Sequence, residues 1–161
     1  MRKFLTIVFL LAFVAWNSYG QVASAYSFGS AVGAYTEITG GTVWQTGTWD
    51  DQTSSTIPVG FNFTANGSTA STIFASANGY LTKGTASLSY TPISSAGVAP
   101  FVAAAFARDL QGVAGSEIRY ETTGTTPNQV FTMQWKNAKR YGTNGTGDVL
   151  NFQIKLFETT N

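Results

Sequence analysis

The chain has 161 residues, a formal net charge of +1, 43% hydrophobic and only 11% charged residues, and neither Cys nor His. That length fits one domain of ordinary size, and the near balance of acids and bases leaves no electrostatic footprint for nucleic acid. Without Cys or His the chain excludes disulfide scaffolds, Cys/His zinc sites, cysteine nucleophiles and every His-dependent triad.

The amino terminus reads as an address. Arg2 and Lys3 form a positive region, Phe4 to Trp16 is apolar apart from Thr6, and Ser18-Tyr19-Gly20 places small residues before a cut. That order is the order of a secretory signal peptide, residues 1–20, cleaved before Gln21. Ala23-Ser24-Ala25 offers a second cut, and a buried helix of the mature domain is the alternative reading. The apolar run is shorter than the roughly 20 residues a membrane span needs, so no span is expected in residues 21–161. Removing Arg2 and Lys3 leaves the exported chain near neutral. It must then be held by its apolar core, with no disulfide to help.

The remaining sequence alternates with a period of two and shows no sustained helical period. In chain order, weaker strands are expected at Tyr26–Phe28, Tyr35–Ile38 and Thr42–Thr46. A clear one follows where Val59, Phe61 and Phe63 alternate with Gly60, Asn62 and Thr64, with weaker ones at Thr72–Ser76 and Tyr80–Lys83. Val98–Ala107 is apolar on both faces and reads as a central strand buried from both sides, or as a short helix. Glu117–Thr122, Gln129–Lys136 and Val149–Glu158 each have one apolar and one polar face and predict a three-stranded meander. Asn66-Gly67 and Asn78-Gly79 suit tight turns. Roughly nine short strands predict an all-β, antiparallel β-sandwich or jelly-roll-like single domain over residues 21–161.

The segments TWDDQ, IPVGFNFTANG, ANGYLTKG, SYTPISS, AAAFARDL, SEIRYETTG, FTMQWKNAKRYG and LNFQIKLFETTN follow one another in an order that resembles a known module. It is the amino-terminal module of large secreted or surface proteins of the Bacteroidetes. Such proteins often carry fibronectin type III modules and a type IX secretion sorting domain. The same order is distantly similar to nidogen-like extracellular domains. The resemblance covers about residues 26–161 and implies a β-sandwich at the cell surface. It also implies a further strand after the last segment, so the chain looks truncated at its carboxy terminus.

Candidate chemistry is sparse. Asp50 and Asp51 could help ligate calcium, which takes six to eight oxygens, with Asp109 and backbone carbonyls joining if the fold brings them near. The alternative is a turn in which both acids accept backbone hydrogen bonds. Asp50, Asp109 and Glu121 are the only acids worth weighing for glycosidase chemistry, and Arg108 beside Asp109 suggests a charge-balanced turn instead. Trp44 and Trp49 lie in loop-rich sequence, where an exposed ring could stack on a sugar; packing in the core is the alternative. Lys136, Lys139, Arg140 and Tyr141 could meet an anionic polysaccharide, or simply form a solvated hairpin tip. The expected function is a non-catalytic, secreted or cell-surface module, structural or adhesive, within a larger protein. A carbohydrate-binding module using Trp44, Trp49, Asp50 and Asp51, with calcium, is the alternative. The partner would be a polysaccharide or another surface protein, and no catalytic residue or resident cofactor is expected.

Overall fold

The computed structural model describes residues 27–65, 67–84, 102–106 and 108–159. The expected signal peptide lies outside them, as do Asn66 and half of Val98–Ala107. The chain divides into two compact units, Met1–Gly33 and Ala34–Asn161. Residues 27–33, the described part of the first, are exposed and without regular structure.

The second unit is built of two antiparallel sheets. One contains β1 (Thr42–Thr46), β7 (Glu117–Thr123), β8 (Val130–Arg140) and β9 (Leu150–Phe157), joined at the end of β8 by β6 (Leu110–Gln111). The other runs β2 (Ile57–Ala65), β3 (Ser68–Ser76), β4 (Tyr80–Thr82) and β5 (Val102–Ala104). This is the all-β, antiparallel sandwich expected. The meander of β7, β8 and β9 is present, with Tyr120 opposite Met133 and Met133 opposite Ile154.

Alternation places the core. In β2, Ile57, Val59 and Phe61 are buried while Pro58, Gly60 and Asn62 are exposed. They join Ile73 and Ala75 of β3 with Ile118, Phe131, Met133, Trp135, Ile154 and Leu156 of the other sheet in one apolar cluster. Phe152 stacks between Trp135 and Phe106, with ring centroids 5.0 and 5.4 Å apart. Gly79 lies against this stack: a Cβ there would come within 3.0 Å of Phe106 and 3.1 Å of the Phe152 ring.

Three expectations are corrected. Neither Tyr35–Ile38 nor Ser27–Phe28 forms a strand or other regular structure. Among the described residues of Val98–Ala107, β5 pairs with β4, Ala103 and Ala104 are half-buried and Ala105 and Phe106 are exposed, so this part is not buried from both sides. The central strand is instead β8, whose residues Phe131 to Trp135 are buried on both faces.

The second cover of β8 is a strap, residues 36–40, lying across the outer face. Arg119, Gln134 and Gln153 stand opposite one another in a single cross-strand row. The strap follows that row. Gln153 donates to the Thr36 carbonyl, and Gln134 both accepts from the Ile38 N–H at 2.8 Å and donates to the Ile38 carbonyl at 3.2 Å. Arg119 donates to the carbonyls of Thr39 and Gly40. Lys136 pairs with Glu37 beside the row. Glutamine suits this task because its carboxamide carries the same donor and acceptor as a peptide group. Gln134 is fully buried as a result.

Replacing Gln134 with Ala leaves two main-chain groups of Ile38 without their partner. We expect a loss of about 1–3 kcal/mol in chemical denaturation and faster amide hydrogen exchange at Ile38. Unchanged protection at Ile38 would show that the strap is held by something else.

Candidate functional site

The turn after β1 and the entry to β6 bring three acids together. Trp49 anchors the first segment: its ring is buried in the core and its carbonyl accepts from the Gly112 N–H at 2.8 Å. The ring passes so close to Gly112 that a Cβ there would sit 2.3 Å from the indole nitrogen. Asp50 and Asp51 follow this fixed point. Leu110, fully buried, anchors the second segment, and Asp109 immediately precedes it.

Asn78 ties the two segments to a third. Its amide nitrogen donates to Asp51 Oδ1 at 2.8 Å, and its Oδ1 accepts from the Leu110 N–H at 2.9 Å. Its carbonyl accepts from the Arg108 N–H at 3.3 Å. Gln52 closes the turn by accepting from the Asp50 N–H, while its own carbonyl accepts from the Ala77 N–H. Asn78 is fully buried. Its sequence signal, Asn-Gly, shows only the turn, which Gly79 indeed makes at φ +83°.

One carboxylate oxygen from each of Asp50, Asp51 and Asp109 lies within 4.8 Å of the others. Asp50 Oδ1 is buried and has no hydrogen-bond partner. Burial first, then the charges of Asp51 and Asp109, raise the Asp50 pKa above the ordinary carboxylate value. Burial first, then Asp51, raises that of Asp109. The ion pairs among the described residues lie elsewhere: Arg119 with Glu117, Lys136 with Glu37, and Arg140 with Asp148. The fold therefore joins Asp109 to Asp50 and Asp51 and gives the three no cation of the chain among those pairs. Chemically the cluster is a set of hard oxygen donors of the kind calcium takes.

The other candidates fall apart from this cluster. Trp49 is 2% exposed and offers no ring face to a sugar, so it takes the packing alternative. Trp44 lies in β1, half-buried against the core. Glu121 lines a separate open hollow of about 370 Å³ with Gly60 and Tyr120, and that hollow shares no residue with the acid cluster. In the basic stretch Lys136 and Arg140 are paired with acids, and Tyr141 is half exposed.

Residues 25–161 match the model of a protein family described as NIDO related, and the chain belongs to that family. This agrees with the distant similarity to nidogen-like domains in the strand and turn order. Comparison with curated proteins and with solved structures returns no match.

The raised pKa values fix a sign. An acid whose folded pKa exceeds its unfolded one costs stability when ionised, and the cost disappears as pH falls through the folded value toward the unfolded one. Glu117 and Asp148 are held below the ordinary range by hydrogen bonds from Arg119 and Arg140. Their contribution persists in that window and is lost only in stronger acid. With chelator present, we expect mild acid just above the ordinary carboxylate range to stabilise the protein relative to neutral pH. Asp109→Asn should stabilise it at neutral pH by roughly 0.5–1 kcal/mol, the size of one partly exposed charge interaction, and should flatten that pH dependence. Thermal melts across pH decide both.

Proposed function

We propose that the protein is an exported, non-catalytic structural module of the extracellular or outer-surface space. Membership of the NIDO-related family over residues 25–161 carries this reading, because it suggests an extracellular structural module. The apolar run flanked by Arg2-Lys3 and Ser18-Tyr19-Gly20 supports export. No helix among the described residues is long and apolar enough to cross a membrane. Against catalysis stands a sequence with neither Cys nor His and with no nucleophile-elbow or phosphate-loop motif. Intact-mass spectrometry of the exported protein should find Gln21 as its first residue. A mass retaining Phe4–Trp16 would overturn the export reading, and polysaccharide or peptide turnover abolished by Asp50→Asn, Asp51→Asn or Asp109→Asn would overturn the non-catalytic one.

The orphaned Asp50 Oδ1 favours a second reading, in which calcium bound at Asp50, Asp51 and Asp109 braces a surface for a polysaccharide or a partner protein. A ligand at 100 times its dissociation constant adds about 2.7 kcal/mol to stability. Calcium should therefore raise the melting temperature of the native chain and leave that of Asp109→Asn nearly unmoved. Equal shifts in the two proteins would rule this reading out.

A further inference from the structure

Strand β2 leaves its ladder in the middle. Ile57 and Pro58 pair with Ile73 and Thr72 of β3, and pairing resumes only at Phe63, opposite Ala70. The residues Val59 to Asn62 therefore face the single residue Ser71, and a strand with that surplus bends away from its neighbour. The arch lands on the other sheet. The Thr122 hydroxyl of β7 donates to the Val59 carbonyl at 2.7 Å. Gly60, at φ +94°, lies so close to Thr122 that a Cβ would come within 2.9 Å of its methyl carbon. Glycine satisfies both the dihedral and the close approach.

The arch has a hollow on each side of Gly60. The first, about 370 Å³, opens toward β7 and the start of β1, with Thr42, Tyr120 and Glu121 in its walls. The second, about 440 Å³, opens toward β3, with Asn62, Ser71 and Thr72 in its walls. Pro58 and Gly60 belong to both, so the two form one groove that crosses the arch at a residue without a side chain. Each hollow falls within the roughly 300–1,000 Å³ of small-molecule sites. Thr42, Asn62, Ser71 and Thr72 are exposed, and their side chains make no hydrogen bond among the described residues. Glu121 is half-buried; its charge reaches Arg119, but it takes no part in the ion pairs described above.

We propose that this groove is a binding site for an uncharged linear polysaccharide, which lies across Gly60 with sugar rings in both hollows. The wall chemistry selects the ligand. Hydroxyls and a carboxamide each donate and accept, as sugar hydroxyls do, and a carboxylate accepts from two neighbouring hydroxyls at once. The one charged residue in the walls is Glu121, which repels an anionic chain. A peptide added as a further strand finds poor partners on the same edge. Pro58 has no N–H to donate, and the Val59 carbonyl is already engaged by Thr122. The groove shares no residue with Asp50, Asp51 and Asp109, so it goes beyond the structural-module reading and stands independently of the calcium reading.

Calorimetric titration with chelator present tests the site. The probes are oligosaccharides of cellulose, xylan, mannan and chitin as uncharged chains, and of alginate as the anionic control. We expect at least one uncharged probe to bind and alginate not to bind. Glu121→Gln removes the charge and keeps the shape, and should weaken that binding about tenfold. Ser71→Trp, at an exposed position, fills the hollow on the β3 side and should abolish it. Melting temperatures equal to that of the native chain show that both variants remain folded. Failure of every uncharged probe to bind overturns the proposal. Binding that both variants leave unchanged also overturns it and places the sugar on another surface. Binding that requires calcium and is lost in Asp109→Asn belongs to the acid cluster and overturns it as well. None of these outcomes bears on export, which the mass of the exported protein decides.

Discussion

The burial of one carboxamide organises the larger sheet. Gln134 occupies an outward position of β8, between inward Met133 and inward Trp135, yet it is as buried as they are. An unpartnered amide in that place would cost more than a net hydrogen bond returns. The strap removes the problem by presenting both main-chain groups of Ile38, and Gln153 adds a third bond to Gln134 Oε1 at 2.8 Å. The dependence runs in both directions. Thr36 to Gly40 form no strand and gain their order from the row, and the row gains its burial from them. From the same crossing the chain turns at Gly41 and enters β1, whose register with β7 places Thr42 opposite Tyr120. The edge of the sheet is thus set where the strap ends.

The acid cluster follows an opposite rule. Along the row, charges are paired: Arg119 with Glu117, Lys136 with Glu37. At the turn after β1, three carboxylates are gathered where burial and mutual repulsion raise the pKa of two of them. Two buried side chains, Trp49 and Leu110, fix the segments that carry the acids, and Asn78 cross-links them. The core packing and the Asn78 bonds therefore hold the acids together against their own repulsion. That is the physical content of calling the cluster a site: the position of the charges is imposed from outside them, so a cation there would relieve a cost already present in the fold.

Legibility in the sequence followed the range of the interaction. Thr42–Thr46 and the meander were readable because alternation is local and each strand has one apolar face. The predicted strand Gln129–Lys136 stops short of β8, which continues to Arg140. The reason is a bulge: Trp135 and Ala138 are consecutive inward residues although three apart, with Asn137 at φ +52° between them. The Asn137 N–H is satisfied by Asn151 Oδ1 at 2.9 Å, a pairing no periodicity announces. The covered outer face was illegible for the same reason. Gln134 and Gln153 are polar in a polar phase, and only contact with a segment 96 or more positions away distinguishes them from solvated glutamines. For the site, TWDD and RDL were visible as short acidic signals. That they converge depends on Asn78, whose sequence context explains only a turn. Trp49 was the ambiguous residue, since a tryptophan in a loop is equally a binding ring or an anchor, and the close approach of Gly112 decides for the anchor.

A chain expected to leave the cell usually gains long-range closure from disulfides, and this one has no cysteine. The strap supplies closure of a different kind. The Gln153–Thr36 bond spans 117 positions and the Gln134–Ile38 bonds span 96, so the strap ties the start of the second unit to its last strands. A disulfide over such a loop contributes about 2–4 kcal/mol by constraining the unfolded chain. Each hydrogen bond here contributes a net of about 0.5–1.5 kcal/mol, and several in one row approach the same sum. The difference lies in reversibility: a row of side chains reading main-chain groups opens and closes without the thiol–disulfide exchange that a covalent tie requires.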